Sequence, residues 1–201
     1  MAGRRGVWLR ATEGGLYAIA VVALAWYGIS YAAAAREQAA LAAELEQSRT
    51  ALQGAAHITR TTVPLATRAL VGRIEIRRLS LSALAREGVD TRTLRGSVGH
   101  VPGSALPGET GNAAFAAHRD TFFRPLEGVR KGDEIAITTK DGEFRYVVSA
   151  TRVVDPSDVS VLRASTEPTL TLVTCYPFDF VGSAPSRFIV SARLVRQKPR
   201  V

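Results

Sequence analysis

The hydrophobic pattern changes character twice along the chain. Residues 14–35, GGLYAIAVVALAWYGISYAAAA, carry no charge and lie between Glu13 and Arg36; such a run matches the roughly 20 residues a helix needs to cross a bilayer. Trp26, Tyr27 and Tyr31 gather toward its far end, where amphipathic rings favour a membrane interface. Residues 36–54 are rich in Ala, Leu, Glu and Gln, with Leu41, Leu45 and Leu52 at helical spacings, which predicts a helical stalk. Residues 55–71 mix Thr, Pro64 and polar positions, so stalk and linker together span 36–71.

From residue 72 the period shortens to that of strands. Ile74 and Ile76 alternate with charged neighbours, and residues 112–118, 134–139, 143–151, 169–175 and 187–195 read as short strands. Lys140-Asp141-Gly142 joins two of these runs as a hairpin, because Asp-Gly tolerates the positive φ of a tight turn. Helical signals are brief, at residues 82–88 and 156–163, where Pro156 and Asp158 suit a first turn. Many short strands with little helix predict a mostly β domain, barrel or sandwich, over residues 72–197, with 198–201 as a tail.

Composition adds compartment and partners. A chain of 201 residues, 46% hydrophobic, holds one domain of ordinary size plus an appendage. The net charge of +8 comes mostly from arginines scattered singly along the chain, without the basic cluster or basic–aromatic interleaving of a nucleic-acid site. Arg4, Arg5 and Arg10 precede the apolar run, so the positive-inside tendency places residues 1–13 in the cytoplasm and everything after Arg36 outside. The expected arrangement is a single-pass membrane protein with an extracytoplasmic domain. A cleaved signal peptide is the competing reading, given the small residues 32–35, but the apolar run exceeds the roughly 7–15 residues of such segments.

Cys175 is the only cysteine, so no disulfide forms within the chain. It closes the run Thr171-Leu172-Val173-Thr174-Cys175; Arg187 opens the next strand-like run, and His118 ends an apolar stretch upstream. A thiol attacks strongly only as thiolate, a form that neighbouring cations favour. A guanidinium can hydrogen-bond the oxyanion that follows, and an imidazolium can protonate a leaving amine. These residue types suit acyl transfer through a thioester. Taken singly, each has a plainer role: a strand-end Cys is often a small buried hydrophobe.

The residues around them resemble a family. Thr171-Leu172-Val173-Thr174-Cys175 matches the TLxTC signature of the sortases, the membrane-anchored cysteine transpeptidases of bacterial envelopes, over residues 72–197. The longer string through Tyr176-Pro177-Phe178, the segments Val181-Gly182-Ser183-Ala184-Pro185 and Arg187-Phe188-Ile189-Val190, and His118-Arg119-Asp120 look most like class D. The resemblance implies a closed eight-stranded β-barrel with short helices behind a transmembrane anchor. It implies that Cys175 attacks a Leu-Pro-x-Thr-type sorting signal of secreted proteins after the Thr, forming a thioacyl-enzyme. His118 would then serve as acid and base, and Arg187 would orient the signal and stabilise the oxyanion. The acceptor would be an amine of a cell-wall precursor or a pilin subunit. His100, in Gly99-His100-Val101-Pro102-Gly103, together with Thr174, Tyr176 and Phe178 become candidate substrate-binding residues. Ala117 stands where such sequences often carry Gly.

No metal or other cofactor is expected, because Cys/His ligand spacing for zinc and a calcium loop are both missing from the sequence. Two alternatives stay open at this stage. One is a papain-like cysteine hydrolase, whose signature around the Cys is missing here. The other is a non-catalytic envelope binding module with an inert thiol.

Overall fold

The computed structural model describes residues 20–43, apart from 23, 30, 34 and 37, and residues 66–199. The chain divides into two compact units, residues 1–37 and 38–201. In the first, the described residues are helical and exposed. Of the expected membrane span, residues 14–19, 23, 30 and 34 lie outside the described residues, as do residues 1–13 of the expected cytoplasmic end and 44–65 of the expected stalk and linker. Among the described residues no helix is long and apolar enough to cross a membrane.

The second unit holds a closed barrel of eight strands, ordered β1-β2-β3-β4-β7-β8-β6-β5. They are β1 (Leu70–Ile76), β2 (Leu81–Glu87), β3 (Val98–His100), β4 (Gly111–Ala116), β5 (Glu134–Thr139), β6 (Gly142–Val154), β7 (Pro168–Tyr176) and β8 (Ser186–Pro199). Closure leaves no edge strand to template aggregation. Two neighbouring pairs run parallel, β2 with β3 and β4 with β7; the remainder are antiparallel.

Strand alternation builds the core. Along β6, Phe144, Tyr146 and Val148 point inward while Glu143, Arg145 and Val147 stay half-exposed. They meet Ile74, Ile76, Phe115, Ile137, Leu170 and Leu172 from the facing strands. The hairpin at residues 139–142 forms as expected, pairing Thr139 with Gly142. Its positive φ, +149°, falls on Gly142 alone, not on Lys140 or Asp141.

Of residues 82–88, expected to be helical, 82–87 form most of β2 instead. Their Ala, Leu, Arg and Glu favour helix only weakly, and packing between β1 and β3 outweighs that preference. The real short helix lies just beyond, at Thr91–Gly96, capped by Asp90, whose carboxylate accepts from the backbone N–H groups of Arg92 and Thr93 at 3.0 and 3.2 Å.

Strand β2 joins β3 only from Ala85 onward, so the Leu84 N–H has no ladder partner on that side. Gln38 supplies one, accepting from Leu84 N at 3.0 Å and donating through Nε2 to Gly96 O. One turn later Leu41 is buried against Leu84, beside Ala42 and Leu70.

Two further contacts seal the barrel ends. At Gly108, φ is +86° and a Cβ would lie 2.0 Å from the Phe144 ring; its N–H donates to the buried Tyr146 hydroxyl at 2.8 Å. Arg78, in the turn between β1 and β2, donates through Nε and Nη2 to both oxygens of Asp133, at 2.6 and 2.5 Å. The Arg78 hydrogen bond, ahead of the Arg130 N–H bond, holds the Asp133 carboxyl below its ordinary range. A depressed folded value stabilises the fold above the unfolded value of about 4 and loses that contribution as pH falls through the folded value. Asp133→Asn is therefore expected to lower Tm at pH 7 by about 2–4 °C, since Arg78 is partly exposed. Thermal melts across pH should show the deficit closing below about pH 4; a deficit that stays constant down to pH 2.5 would assign it to something other than the charge.

Candidate active site

The site arises from register. Strands β4 and β7 run parallel with Ala116 opposite Val173, and the Ala117 N–H continues the ladder to Val173 O at 3.2 Å. His118 therefore comes level with Cys175. Across the other side of β7, Cys175 lies directly opposite Arg187 of β8, a placement that brings Cα atoms to about 4.5–5.5 Å and side chains onto one face. That face is the outer one, because Ala113, Phe115, Ala117, Leu170 and Leu172 all point into the core. Three strands thus deliver imidazole, thiol and guanidinium to one end of the barrel wall. His118 is exposed, while Cys175 and Arg187 are half-buried.

Each is steadied by its surroundings. The Thr174 hydroxyl, buried, donates to Ala117 O at 2.8 Å, which fixes the residue preceding His118 against the residue preceding Cys175. Ala117, the departure from the Gly of similar sequences, buries its methyl group in the core. Arg187 donates through Nη1 to Ser186 O at 3.0 Å and Ala184 O at 3.3 Å, holding its planar head beside the β7–β8 loop. Its charge also reaches Asp155, whose carboxyl is held low first by the Ser157 hydroxyl and N–H and to a lesser extent by Arg187.

The β7–β8 loop is clasped by two arginines that the sequence reading did not single out for a role. Arg119, next to His118, donates through Nη2 to Phe180 O at 2.5 Å and Gly182 O at 2.9 Å, and its guanidinium lies 5.9 Å from the Phe180 ring centre. Arg124 donates to Phe178 O at 2.7 Å. Phe178 is itself buried, edge-on to Tyr176 and Phe188 at 6.0 and 5.3 Å between ring centres, while Tyr176 stacks on Phe188 at 6.1 Å. The one sequence signal for these clasps is a pair of arginines soon after His118; the acceptors are backbone carbonyls, which no side-chain pattern marks.

His100 sits away from this face. It is buried at the end of β3, with Nδ1 2.6 Å from Glu87 Oε2, Nε2 2.9 Å from Ala105 O and its ring edge-on to Phe115 at 5.0 Å. Both ring nitrogens are engaged, so His100 bolts β2, β3 and the following loop together. Among the described residues no group of three or more His, Cys, Asp or Glu is disposed to hold a metal ion.

The outward face of β4, β7 and β8 continues from Cys175 along the barrel wall. At the Cys175 end Ala116 and Val173 are half-buried, whereas Ile189, level with Val173, and Ala114 and Thr171 farther along are closed to solvent although they lie outside the core cluster. A thiol, an imidazole and a guanidinium brought to one outward face have the chemistry to attack, protonate and stabilise around one peptide carbonyl.

Comparison with known proteins agrees with this geometry. A family model described as the sortase domain matches residues 74–195. Sortase D of Bacillus subtilis is 38% identical over 125 residues, 62% of this chain and 63% of that protein; the chain thus spans slightly under two thirds of that relative. Among solved structures, a Clostridium perfringens Sortase D5 transpeptidase is 31% identical, with a TM-score of 0.58 over 75% of this chain and 88% of the other. Listeria monocytogenes sortase A is 26% identical, with a TM-score of 0.61 over 66% and 92%. A domain match over more than half of the chain, an eight-stranded barrel of the same fold and the Cys175–Arg187 pairing lead to one conclusion: the chain belongs to the sortase family.

Proposed function

We propose that the protein is a membrane-anchored cysteine transpeptidase that cleaves a Leu-Pro-x-Thr-type sorting signal after the Thr and passes the acyl group to an amine. The observation that carries this reading is the direct pairing of Cys175 with Arg187, with His118 level on the neighbouring strand. The Cys175 thiolate attacks the Thr carbonyl, and Arg187 hydrogen-bonds the oxyanion while the tetrahedral centre lasts. The C–N bond then breaks, and the departing amine takes its proton from the His118 imidazolium, leaving a thioester. Imidazole next removes a proton from the incoming amine as its nitrogen attacks the thioester, and thiolate leaves. The acceptor would be a cell-wall precursor or a pilin subunit, and the donor a secreted protein with a C-terminal sorting signal.

In this reading residues 14–35 form the anchor, with residues 1–13 cytoplasmic and the barrel outside the membrane. Tyr176 and Phe178, expected to meet the substrate, pack instead with Phe188 against the core, and so support from the inside the β7–β8 loop that Arg119 and Arg124 clasp. In this reading Thr174, whose hydroxyl is engaged with Ala117 O, steadies the site from inside the barrel, and His100, engaged with Glu87 and Ala105, holds β2, β3 and the following loop, so neither meets the substrate.

The test is intact-protein mass spectrometry on the full chain in detergent, incubated with a pool of Leu-Pro-x-Thr-x peptides and small amine acceptors. A peptide acyl adduct and amine-capped products ending in Thr are expected. A folded protein with an alkylatable thiol that yields neither would reject the proposed reaction.

A further inference from the structure

The barrel wall has a seam that its own strands do not close. Strand β2 pairs with β3 only over Ala85–Glu87, which leaves the Leu84 N–H facing that side without a strand partner. Beside it Gly96 ends the short helix Thr91–Gly96, and the last carbonyls of a helix find no partner within it. Gln38 bridges the two, its Oε1 accepting from Leu84 N at 3.0 Å and its Nε2 donating to Gly96 O. An N–H on one side and a carbonyl on the other fix the amide orientation. Helical spacing puts the rest of the contact on the same face: Gln38, Leu41 and Ala42, at i, i+3 and i+4, turn to the barrel, while Ala39, Ala40 and Ala43 are exposed. Leu41 is fully buried and covers Leu84, which points outward between Ala83 and Ala85 of the core.

Register places this contact near the reacting groups. Ala85 pairs with Val98, Gly99 with Ala116 and Ala116 with Val173; one residue along each strand, Leu84 falls in the same outward row as His118 and Cys175. In the barrel order β2 is three strands from β7, about 14 Å along the wall at about 4.8 Å per strand. Chain length supplies the other half of the argument. Only Arg36 and Glu37 stand between Ala35, the last residue of the proposed anchor, and Gln38, and three residue steps span at most about 11 Å whatever their conformation. With Gln38 and Leu41 detached, the tether would instead run to Leu70 at the start of β1, roughly 35 steps with a contour of about 120 Å.

We propose that residues 38–42 are a latch that docks the membrane-proximal chain onto the barrel wall and so holds the Cys175 face close to the bilayer surface. The inference rests on the reading of residues 14–35 as a membrane anchor. With the latch closed, the thiol works where a donor or acceptor carried by lipid, or by a membrane segment of its own, is concentrated. With the latch open, the same barrel moves on a tether about ten times longer and its effective concentration at that surface falls. The latch governs reach and leaves the chemistry alone, because its contacts are with Leu84, Gly96 and Leu70 and not with the reacting residues.

The test uses the full chain in phosphatidylcholine–phosphatidylglycerol vesicles that carry a headgroup-linked energy acceptor. The single cysteine takes the donor dye at Cys175, so energy transfer reads the height of that residue above the lipid without any turnover. Gln38→Ala with Leu41→Ser opens the latch; Gln38→Glu, which keeps an acceptor for Leu84 N and loses the donor to Gly96 O, is the milder variant. In the double variant, transfer is expected to fall by about half and hydrogen exchange at Leu84 to rise about tenfold or more. Turnover of a soluble Leu-Pro-x-Thr peptide by the unlabelled double variant should stay within about twofold of wild type, and Gln38→Glu should raise exchange by about threefold and lower transfer in the same sense. Unchanged exchange at Leu84 in the double variant would overturn the latch, and raised exchange with unchanged transfer would overturn its control of reach. Should the double variant exchange throughout the barrel, Gln38→Glu decides on the same two readouts. A wild type that does not float with the vesicles would reject the anchor and, with it, the control of reach. A wild type that floats and transfers energy but, unlabelled, turns over no peptide would reject the sorting-signal reading and leave the latch supported.

Discussion

Cys175→Ala is expected to cut transpeptidation by about 10³-fold or more, to background, while the barrel melts within about 2 °C of wild type. The two halves of that expectation have separate physical causes. Cys175 is half-buried at the end of β7 and lies outside the core cluster, so removing its sulfur opens no interior cavity. The backbone ladder to β4 and β8 is untouched by the substitution. Chemically, nothing replaces the sulfur: without it no thioester forms, and His118 and Arg187 are left to polarise a carbonyl that has no enzyme nucleophile. Because the chain has a single cysteine, any alkylation of wild type reports on position 175 alone, and loss of label in the variant is a built-in control. Product formation by Cys175→Ala above about one part in a hundred of wild type would sink the thioacyl route, provided thermal melts show the variant folded.

The sequence shows the reaction more plainly than it shows the machinery that supports it. Cys175 and Arg187 sit in long alternating runs whose strand character needs no tertiary context, and their cross-strand pairing follows once those runs are adjacent. His118 ends a run of the same kind. The supporting residues are legible only in space. Asn112 lies inside an apolar stretch and reads as an ordinary strand position until its amide is seen to meet Val161 and Arg163. His100 reads as a loop residue because β3 is three residues long, too short for any periodicity, and its partner Glu87 is thirteen positions away. Strand β2 reads as helix because Ala, Leu, Arg and Glu dominate it, and only its placement between β1 and β3 decides otherwise. The apolar run at residues 14–35 is the reverse case, clear in the sequence and only partly within the described residues. Side chains that act through backbone carbonyls, such as Arg119, Arg124 and Gln38, leave no pattern at all, since every residue offers a carbonyl.

Arg187→Lys separates charge from geometry at the oxyanion. The strand pairing with Cys175 fixes where the side chain starts, and the bonds from Nη1 to Ser186 O and Ala184 O set one edge of the guanidinium against the loop backbone. The remaining N–H groups keep a planar arrangement that, in the proposed reaction, serves the attacked carbonyl. Lysine retains the positive charge but places it as a point on a flexible stem, with no edge to hold against the loop and no second donor in a fixed plane. If charge alone served the reaction, Arg187→Lys would keep most activity and only Arg187→Ala would fail. If directed hydrogen bonds serve it, kcat for Arg187→Lys should fall about 10²–10³-fold, the loss typical of removing an oxyanion donor. Arg187→Ala should then be at least as slow. Thiol alkylation supplies the second axis, because the lysine variant keeps a cation near the sulfur and should react with iodoacetamide within about threefold of wild type. Near-normal turnover by Arg187→Lys would remove the oxyanion role from Arg187. A lysine variant slow in both turnover and alkylation would instead place the arginine's contribution on the thiolate, before any oxyanion exists.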